Sequence, residues 1–270
     1  MKTHRSIACL SFGAGTGQGQ RALPEEVAVA LSFNGTTQAV MMATPDDLID
    51  FAYGFALTEG IALPDEIDGI EVVDLPNGID VQIWLKTDAE VRLSKRRRNM
   101  AGPVGCGLCG IDSLDEALRK LKPVSNSSFT MRPSEVMAAI AALPEAQPLH
   151  DATRAVHAAG FWAGRLIAAR EDVGRHNALD KLAGHLVRAS LHPTGDAMGA
   201  VLLTSRVSID MVQKVAAMGA PMLIAVSAPT AHAVTLADEA GITLIALARP
   251  DRFEAFTHMD RLLPETADVA

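Results

Sequence analysis

The stretch AVLLTSRVSIDMVQKVAAMGAPMLIAVSA, residues 200–228, decides the fold. It begins with a run of apolar residues, continues with a segment whose apolar residues have helical spacing, and ends with a second apolar run. Strands that consist of continuous apolar runs are typical of sheets buried on both faces. The stretch therefore predicts a strand, a helix and a strand in a sheet that helices cover on both sides.

The sequence on either side repeats this alternation. Strands are predicted over GRLIAARED (164–172) and ITLIALAR (242–249), the latter as the last strand, and helices over PSEVMAAIAAL (133–143), LHDATRAVHAAG (149–160), RHNALDKLAGHLVRAS (175–190) and AHAVTLADEAG (231–241). We therefore expect an α/β domain over residues 126–270 with a mostly parallel or mixed sheet.

The N-terminal half has a different pattern. Asn34-Gly35 and Asn77-Gly78 each separate two strand-like runs, which is a strong signal for a β-hairpin. The segment between them, residues 44–60, predicts a helix that Thr44 caps and Gly60 ends. Two hairpins and a helix indicate a small α+β domain over residues 21–98.

Two segments remain outside these domains. Residues 1–20 are glycine-rich and are predicted to be a flexible leader. A dinucleotide-binding loop needs a strand before it and a helix after it, and neither is expected around their GAGTGQG at the start of the chain. Residues 99–125 are predicted to hold a cysteine loop and a linking helix that Asp112 or Ser113 caps.

Composition limits the class of protein. Hydrophobic residues make up 49% of the 270 residues and aromatic residues 4%, so the core is expected to be mainly aliphatic. The formal net charge of −8 argues against general nucleic-acid binding. Three cysteines do not make a disulfide framework, and no stretch approaches the ~18 apolar residues of a membrane helix. We expect a cytoplasmic protein without nucleic-acid or membrane partners.

The cysteine loop, RNMAGPVGCGLCGIDSL (98–114), holds Cys106 and Cys109 among glycines. A structural zinc site takes four ligands, and no second pair is present, so no metal is expected. A thioredoxin-like motif places its first cysteine at a helix start directly after a strand. Here the pair lies in a glycine loop before the predicted helix, which weakens the thioredoxin-like interpretation but leaves it open. A third interpretation is a movable arm with a reactive sulfur, whose thiolate the basic run at 95–98 would favour. The sequence alone favours the other interpretation of that run, a solvated charge cluster.

Three polar segments follow predicted strands, where sheets of this kind bind ligands. Arginine forks and helix N-termini in them suit an anion. The alternatives to a binding site are capping clusters, salt bridges and exposed basic turns. The candidate residues are Glu171, Asp172, Arg175, His176, Asn177 and Asp180 in residues 170–181; Ser205, Arg206 and Ser208 in residues 204–211; and Leu247, Ala248, Arg249, Pro250, Asp251 and Arg252.

Together the motifs resemble the formate dehydrogenase accessory sulfurtransferase family, FdhD. The motifs that carry the resemblance, over about residues 21–260, are FAYGFALTEG, GCGLCG, EDVGRHNALDK, TSRVSIDMVQKVAAMGAPMLIAVSAPTAHAV and ITLIALARPDR. The resemblance implies a cytidine deaminase-like three-layer α/β C-terminal domain and a homodimer. The chain has no His-x-Glu, so such a fold would not be a deaminase here.

The resemblance also implies a function. Such a protein takes persulfide sulfur from a cysteine desulfurase and passes it to the bis-molybdopterin guanine dinucleotide cofactor (Mo-bisMGD) that a formate dehydrogenase needs. It implies that Cys106 carries the sulfur with Cys109 in support, and that Leu247–Arg252 contact the cofactor; we add Ser205, Arg206, His176 and Asn177 to this set. GDP would then mimic the cofactor. A cofactor-binding chaperone without sulfur transfer and a thiol-disulfide oxidoreductase are the alternatives.

Overall fold

The structure is a computed structural model that describes residues 2–13, 17–99, 121, 123–124, 128–191 and 198–265. Nearly all of the predicted cysteine loop and linking helix, including Cys106 and Cys109, lies outside the described residues. No helix in these ranges is long and apolar enough to cross a membrane.

The first described residues form a hairpin. Strands β1 (His4–Ser11) and β2 (Gly17–Pro24) pair antiparallel, and β2 contacts a short helix of the C-terminal half. The sequence pattern predicts no strand in residues 1–20, so this hairpin is a difference, whereas the flexibility of the leader stays a prediction. Most side chains of the hairpin are exposed, so backbone hydrogen bonds hold it and no hydrophobic pattern marks it in the sequence.

Both predicted NG hairpins are confirmed. They pair β3 (Val27–Phe33) with β4 (Thr36–Ala43), and β5 (Ile67–Leu75) with β6 (Gly78–Leu85). Asn34 and Gly35 both have positive φ, 46° and 75°, as the favoured two-residue turn requires. Strands β3 and β6 join the hairpins in parallel, which gives the order β4-β3-β6-β5. Helix α1 (Leu48–Thr58) packs against one face of this sheet, and α2 (Thr87–Asn99) follows β6.

The predicted cap of α1 is wrong. The helix begins at Leu48 after Asp47, which has a φ of 51° and makes no side-chain capping bond. Thr44 is buried instead, and its backbone N–H donates to Asp172 in the second sheet (3.0 Å). A distant tertiary contact therefore takes the residue that the local sequence assigned to the helix.

The C-terminal half contains a six-stranded mixed sheet, which confirms the fold class. Its order is β12-β11-β10-β9-β7-β8, with β9, β10 and β11 parallel and the other neighbours antiparallel. The strands are β7 (His157–Trp162), β8 (Leu166–Asp172), β9 (Ala200–Leu203), β10 (Met222–Ala225), β11 (Thr243–Arg249) and β12 (Arg252–Ala255).

Helices lie on both faces of this sheet. Helix α3 (Pro133–Ala142) covers one face, and α4 (Pro148–Thr153) follows it. The other face packs against α5 (Arg175–Arg188), α6 (Ile209–Met218) and α7 (Ala231–Glu239). Alternate residues of the strands enter the two cores, for example Val201 and Leu202 of β9.

Two details of the predicted alternation are wrong. The helix predicted over 149–160 ends at Thr153, Arg154 follows with a φ of 59°, and His157 begins β7. The strand predicted as the last is followed by β12. Short apolar runs fit a strand and a helix equally well, so their pattern alone does not separate the two.

The two halves meet where α1 crosses α5. A Cβ atom added to Gly54 would lie 1.7 Å from the carbonyl oxygen of Asp180, and one added to Gly184 would lie 1.8 Å from that of Asp50. The helix backbones therefore touch, and any side chain at either glycine would separate them. The domain boundaries predicted at residues 21–98, 99–125 and 126–270 remain a prediction.

Replacing Gly54 by alanine is expected to lower the free energy of unfolding by about 3 kcal/mol or more, because α1 would have to move away from α5. Urea denaturation followed by circular dichroism measures the change. Gly19→Ala is the control, since a Cβ there meets no atom within 4 Å, and we expect a change below about 0.5 kcal/mol. An unchanged midpoint for Gly54→Ala would contradict the contact.

Candidate functional site

The three polar segments lie along one edge of the six-stranded sheet. Strands β9, β10 and β11 are parallel, so their carboxyl ends share this edge. Strand β7 is antiparallel to both β8 and β9, so β8 also ends there. We call this the carboxyl edge, formed by residues 170–176, 204–208, 226–228 and 247–252. Open α/β sheets bind ligands at such an edge.

Neighbouring segments of the carboxyl edge are joined through the backbone. The N–H of Thr204 donates to the carbonyl of Ala158 (3.1 Å), and that of Val226 to the carbonyl of Leu203 (2.8 Å). The guanidinium of Arg249 donates to the carbonyls of Val226 (2.6 Å) and Ala248 (2.8 Å). Arg249 therefore ties the ends of β10 and β11 together.

The segment Leu247–Arg252 has an unusual backbone. Leu247 has a φ of 52°, beside a register shift in the β11–β12 ladder, and its side chain is exposed. Left-handed backbone is unfavourable for leucine, and such strain clusters at ligand sites. Arg252 is 74% exposed, with Asp251 3.6 Å away. Pro250 is also exposed, whereas Ala248 is buried.

The segment after β9 also combines a buried residue with an exposed one. Ser205 is buried, and its hydroxyl donates to the carbonyl of Arg206 (3.1 Å). The Arg206 side chain is exposed at the edge. Ser208 precedes α6 without capping it, and its hydroxyl is 3.4 Å from the carboxylate of Asp210.

Part of the segment after β8 faces the interior. Asp172 is fully buried and accepts from the Lys181 ammonium (2.6 Å) and from the N–H groups of Thr44 (3.0 Å) and Gly174 (2.7 Å). The amide of Asn177, only 2% exposed, donates to Asp172 (2.9 Å) and to the carbonyl of Met42 (2.9 Å). The structure therefore places Asn177 and Asp172 in a network that joins the two halves.

Glu171 and Asp180 also make structural contacts. The carboxylate of Glu171 accepts from the N–H groups of Leu149 (2.8 Å) and His150 (2.7 Å), and burial raises its pKa. Asp180 pairs with Lys214 (3.0 Å), and burial raises the pKa of Asp180 to about 6 although Lys214 opposes this. For these residues the alternative of a capping and salt-bridge cluster describes what is observed.

His176 faces the edge from the first turn of α5. Its Nε2 is buried, lies 3.8 Å from the Asp210 carboxylate, and has no hydrogen-bond partner in the described part of the chain. Burial, together with the charges of Arg175 and Lys214, lowers the pKa of His176 to about 4. The imidazole is therefore neutral at physiological pH. The edge thus combines an uncharged imidazole with Arg175, Arg206 and Arg252.

Sequence reasoning missed Lys181, Lys214 and Thr44, which hold these segments in place. One signal was available. Lys214 interrupts the apolar face of the helix SIDMVQKVAAM, and lysine is almost never fully buried unless it is paired. The paired residues, Glu59 and Asp180, are 155 and 34 positions away in the chain, so no local pattern identifies them.

His176→Gln is expected to reduce the loss of stability in acid. Between pH 6.5 and about 4 the unfolded chain protonates His176 and the folded chain does not, so stability falls as pH falls. Removing the imidazole should shrink the difference in unfolding free energy between pH 7 and pH 4 by roughly 2 kcal/mol. Urea titrations at several pH values measure it; identical pH profiles for both proteins would refute a neutral buried His176.

The architecture defines the class: an α/β protein with a three-layer domain, a smaller four-stranded sheet packed onto it, and a polar carboxyl edge. The chain belongs to the FdhD/NarQ family, whose profile matches residues 24–263. This confirms the resemblance that the motifs gave.

Individual relatives agree. The protein is 54% identical over 266 residues to "Sulfur carrier protein FdhD" of Agrobacterium fabrum, covering 97% of each chain. It is 51% identical over 253 residues to the protein of that name in Brucella abortus, covering 93% of each. A crystal structure described as a formate dehydrogenase accessory protein from Desulfotalea psychrophila superposes with a TM-score of 0.76 at 25% identity, covering 97% of this chain and 100% of that one.

Proposed function

We propose that this protein is a sulfur carrier, a sulfurtransferase that takes persulfide sulfur from a cysteine desulfurase and delivers it to Mo-bisMGD for a formate dehydrogenase. The observation that carries the proposal is the family match over residues 24–263, which includes the Cys106-x-x-Cys109 pair. The names of the relatives and of the similar crystal structure support it. We expect it to act as a homodimer.

The loading step needs a thiolate. The sulfur of Cys106 attacks the outer sulfur of the donor persulfide, a new S–S bond forms on Cys106, the donor S–S bond breaks, and the donor cysteine leaves as a thiolate. The proton of the persulfide moves with its sulfur, so the step balances. A basic run in the sequence would favour the thiolate and persulfide anions that this exchange uses. It consists of Lys95, Arg96, Arg97 and Arg98.

The carboxyl edge is the proposed binding surface for the substrate cofactor. Its exposed Arg206 and Arg252 suit phosphate, and the exposed Leu247 provides an apolar contact from a strained bulge. Mo-bisMGD carries guanine nucleotide ends that would meet these groups. The chain has no Gly-x(4)-Gly-Lys-Ser/Thr phosphate loop, so we expect binding of GDP without hydrolysis.

The cysteines are tested by loading and by activity. Cys106→Ala is expected to abolish formate dehydrogenase maturation in cells that lack the wild-type protein and to lose the sulfur adduct in intact-mass spectra after incubation with desulfurase and cysteine. Cys109→Ala should retain the adduct, and Cys9→Ala is the matched control. An adduct on Cys106→Ala but not on Cys109→Ala would reverse the assignment. Full activity of both variants would favour a chaperone without sulfur transfer, and an internal disulfide without an adduct would favour an oxidoreductase.

Nucleotide binding is tested by calorimetry. The wild type should bind GDP more tightly than ADP, and Arg252→Ala should weaken GDP binding by roughly ten- to a hundred-fold, because a guanidinium–phosphate bond contributes ~1.5–3 kcal/mol. Sulfur loading on Cys106 should be unaffected. A thermal melt excludes unfolding, and Arg165→Ala in the β7–β8 turn is a charge-matched control. Equal affinity for both nucleotides, or a change in GDP affinity below about two-fold in Arg252→Ala, would contradict a nucleotide site at the carboxyl edge.

A further inference from the structure

Helices α5 and α6 face each other through two pairs of polar residues. His176 and Asp180 lie one turn apart on α5, and Asp210 and Lys214 lie one turn apart on α6. The outer pair, at the carboxyl edge, is His176 and Asp210, with 3.8 Å between Nε2 and Oδ2. The inner pair is Asp180 and Lys214, with 3.0 Å between Oδ1 and Nζ. We call these four residues the polar ladder.

Helix α1 closes the inner end of the polar ladder. The Lys214 ammonium also donates to the hydroxyl of Thr58 (3.0 Å) and the carboxylate of Glu59 (2.6 Å). The Thr58 hydroxyl donates to Asp180 (2.7 Å). The Lys214 side chain is 8% exposed. A single buried ammonium therefore joins the C-terminal end of α1 to α5 and α6, so it links both halves of the chain.

Stability alone does not explain a lysine at this position. Well-packed apolar side chains often replace buried ion pairs with no loss of stability. The ion cluster instead fixes a geometry, since one ammonium with three acceptors allows few arrangements of three helices. One turn nearer their N-termini, α5 and α6 carry His176 and Asp210, beside the carboxyl edge.

We propose that Lys214 is a positioning residue for the carboxyl edge: its bonds to Glu59, Thr58 and Asp180 set how the first turns of α5 and α6, and thus His176 and Asp210, stand at the site. The inference rests on the proposed function only in that the edge binds the nucleotide part of the cofactor. Lys214 itself lies inside the structure and acts through His176 and Asp210.

His176 reports on this arrangement without any ligand. The charged groups that act on its imidazole are Arg175 on α5, Lys214 and Asp210 on α6, and Glu59 after α1. Burial is the largest cause of its low pKa, and the Lys214 charge lowers it further. Removing that charge must therefore raise the pKa of His176 from about 4 toward its ordinary value of 6.5.

The experiment compares full-length wild type, Lys214→Met, Lys214→Arg and Lys86→Met. Lys86 is the matched control because it is exposed and donates to the carbonyl of Asp65, far from the polar ladder in the chain. Histidine NMR titrations, with His176→Asn for assignment, follow the imidazole, and calorimetry follows GDP binding. Thermal melts accompany both. If Lys214→Met does not fold, Lys214→Gln, which keeps two N–H donors, takes its place.

Lys214→Met is expected to raise the His176 titration midpoint by about one pH unit and to weaken GDP binding by about five-fold. Lys214→Arg should restore both, and Lys86→Met should change neither. A folded Lys214→Met with an unchanged His176 midpoint, or with wild-type GDP affinity, overturns the inference. If the wild type itself binds no GDP, the proposed nucleotide site is wrong, and the His176 midpoint alone decides whether Lys214 controls the edge.

Discussion

The backbones of α1 and α5 touch, and this contact fixes how the two halves of the chain lie against each other. Gly54 and Gly184 leave no room for a Cβ atom, so the four-stranded sheet and the six-stranded sheet are held at one separation. At this separation the buried lysines of the C-terminal half reach the N-terminal half: Lys181 donates to the carbonyl of Thr44, and Lys214 donates to the carboxylate of Glu59. Because a buried charge without its partner is strongly destabilising, these pairs and the glycine contact require one another.

The segment that joins β8 to α5 both connects the two halves and contributes to the carboxyl edge. In the residues that join β8 to α5, Asp172 and Asn177 point inward and hold the loop before α1, whereas His176 lies at the carboxyl edge. The same division recurs after β9, where Ser205 is buried and Arg206 is exposed, and after β11, where Ala248 is buried and Arg252 is exposed. Each strand end thus supplies one anchored residue and one free to meet a ligand. The proposed sulfur carrier would use the exposed set.

The sequence predicted most elements because local patterns encode them. Asn-Gly turns marked both hairpins, and apolar runs marked β9, β10 and β11. The first hairpin was missed because its side chains are exposed and leave no pattern. The predicted site segments share one edge of the sheet, but the sequence could not separate inward from outward residues: Asn177 and His176 adjoin in sequence, and only the distant partners Met42 and Asp210 distinguish them. The buried roles of Lys181 and Lys214 depend in part on Thr44 and Glu59, which lie 137 and 155 positions away, so they could not be predicted locally.

We propose that sulfur held on Cys106 is delivered to the cofactor. The most direct measurement loads the protein with ³⁵S persulfide, removes free sulfide, adds Mo-bisMGD in a single turnover and follows the label. We expect the label to leave the protein and appear on the cofactor, whereas Cys106→Ala, which carries no label, should transfer none. Label that stays on the protein in the presence of bound cofactor, or equal labelling of the cofactor with Cys106→Ala, would contradict it.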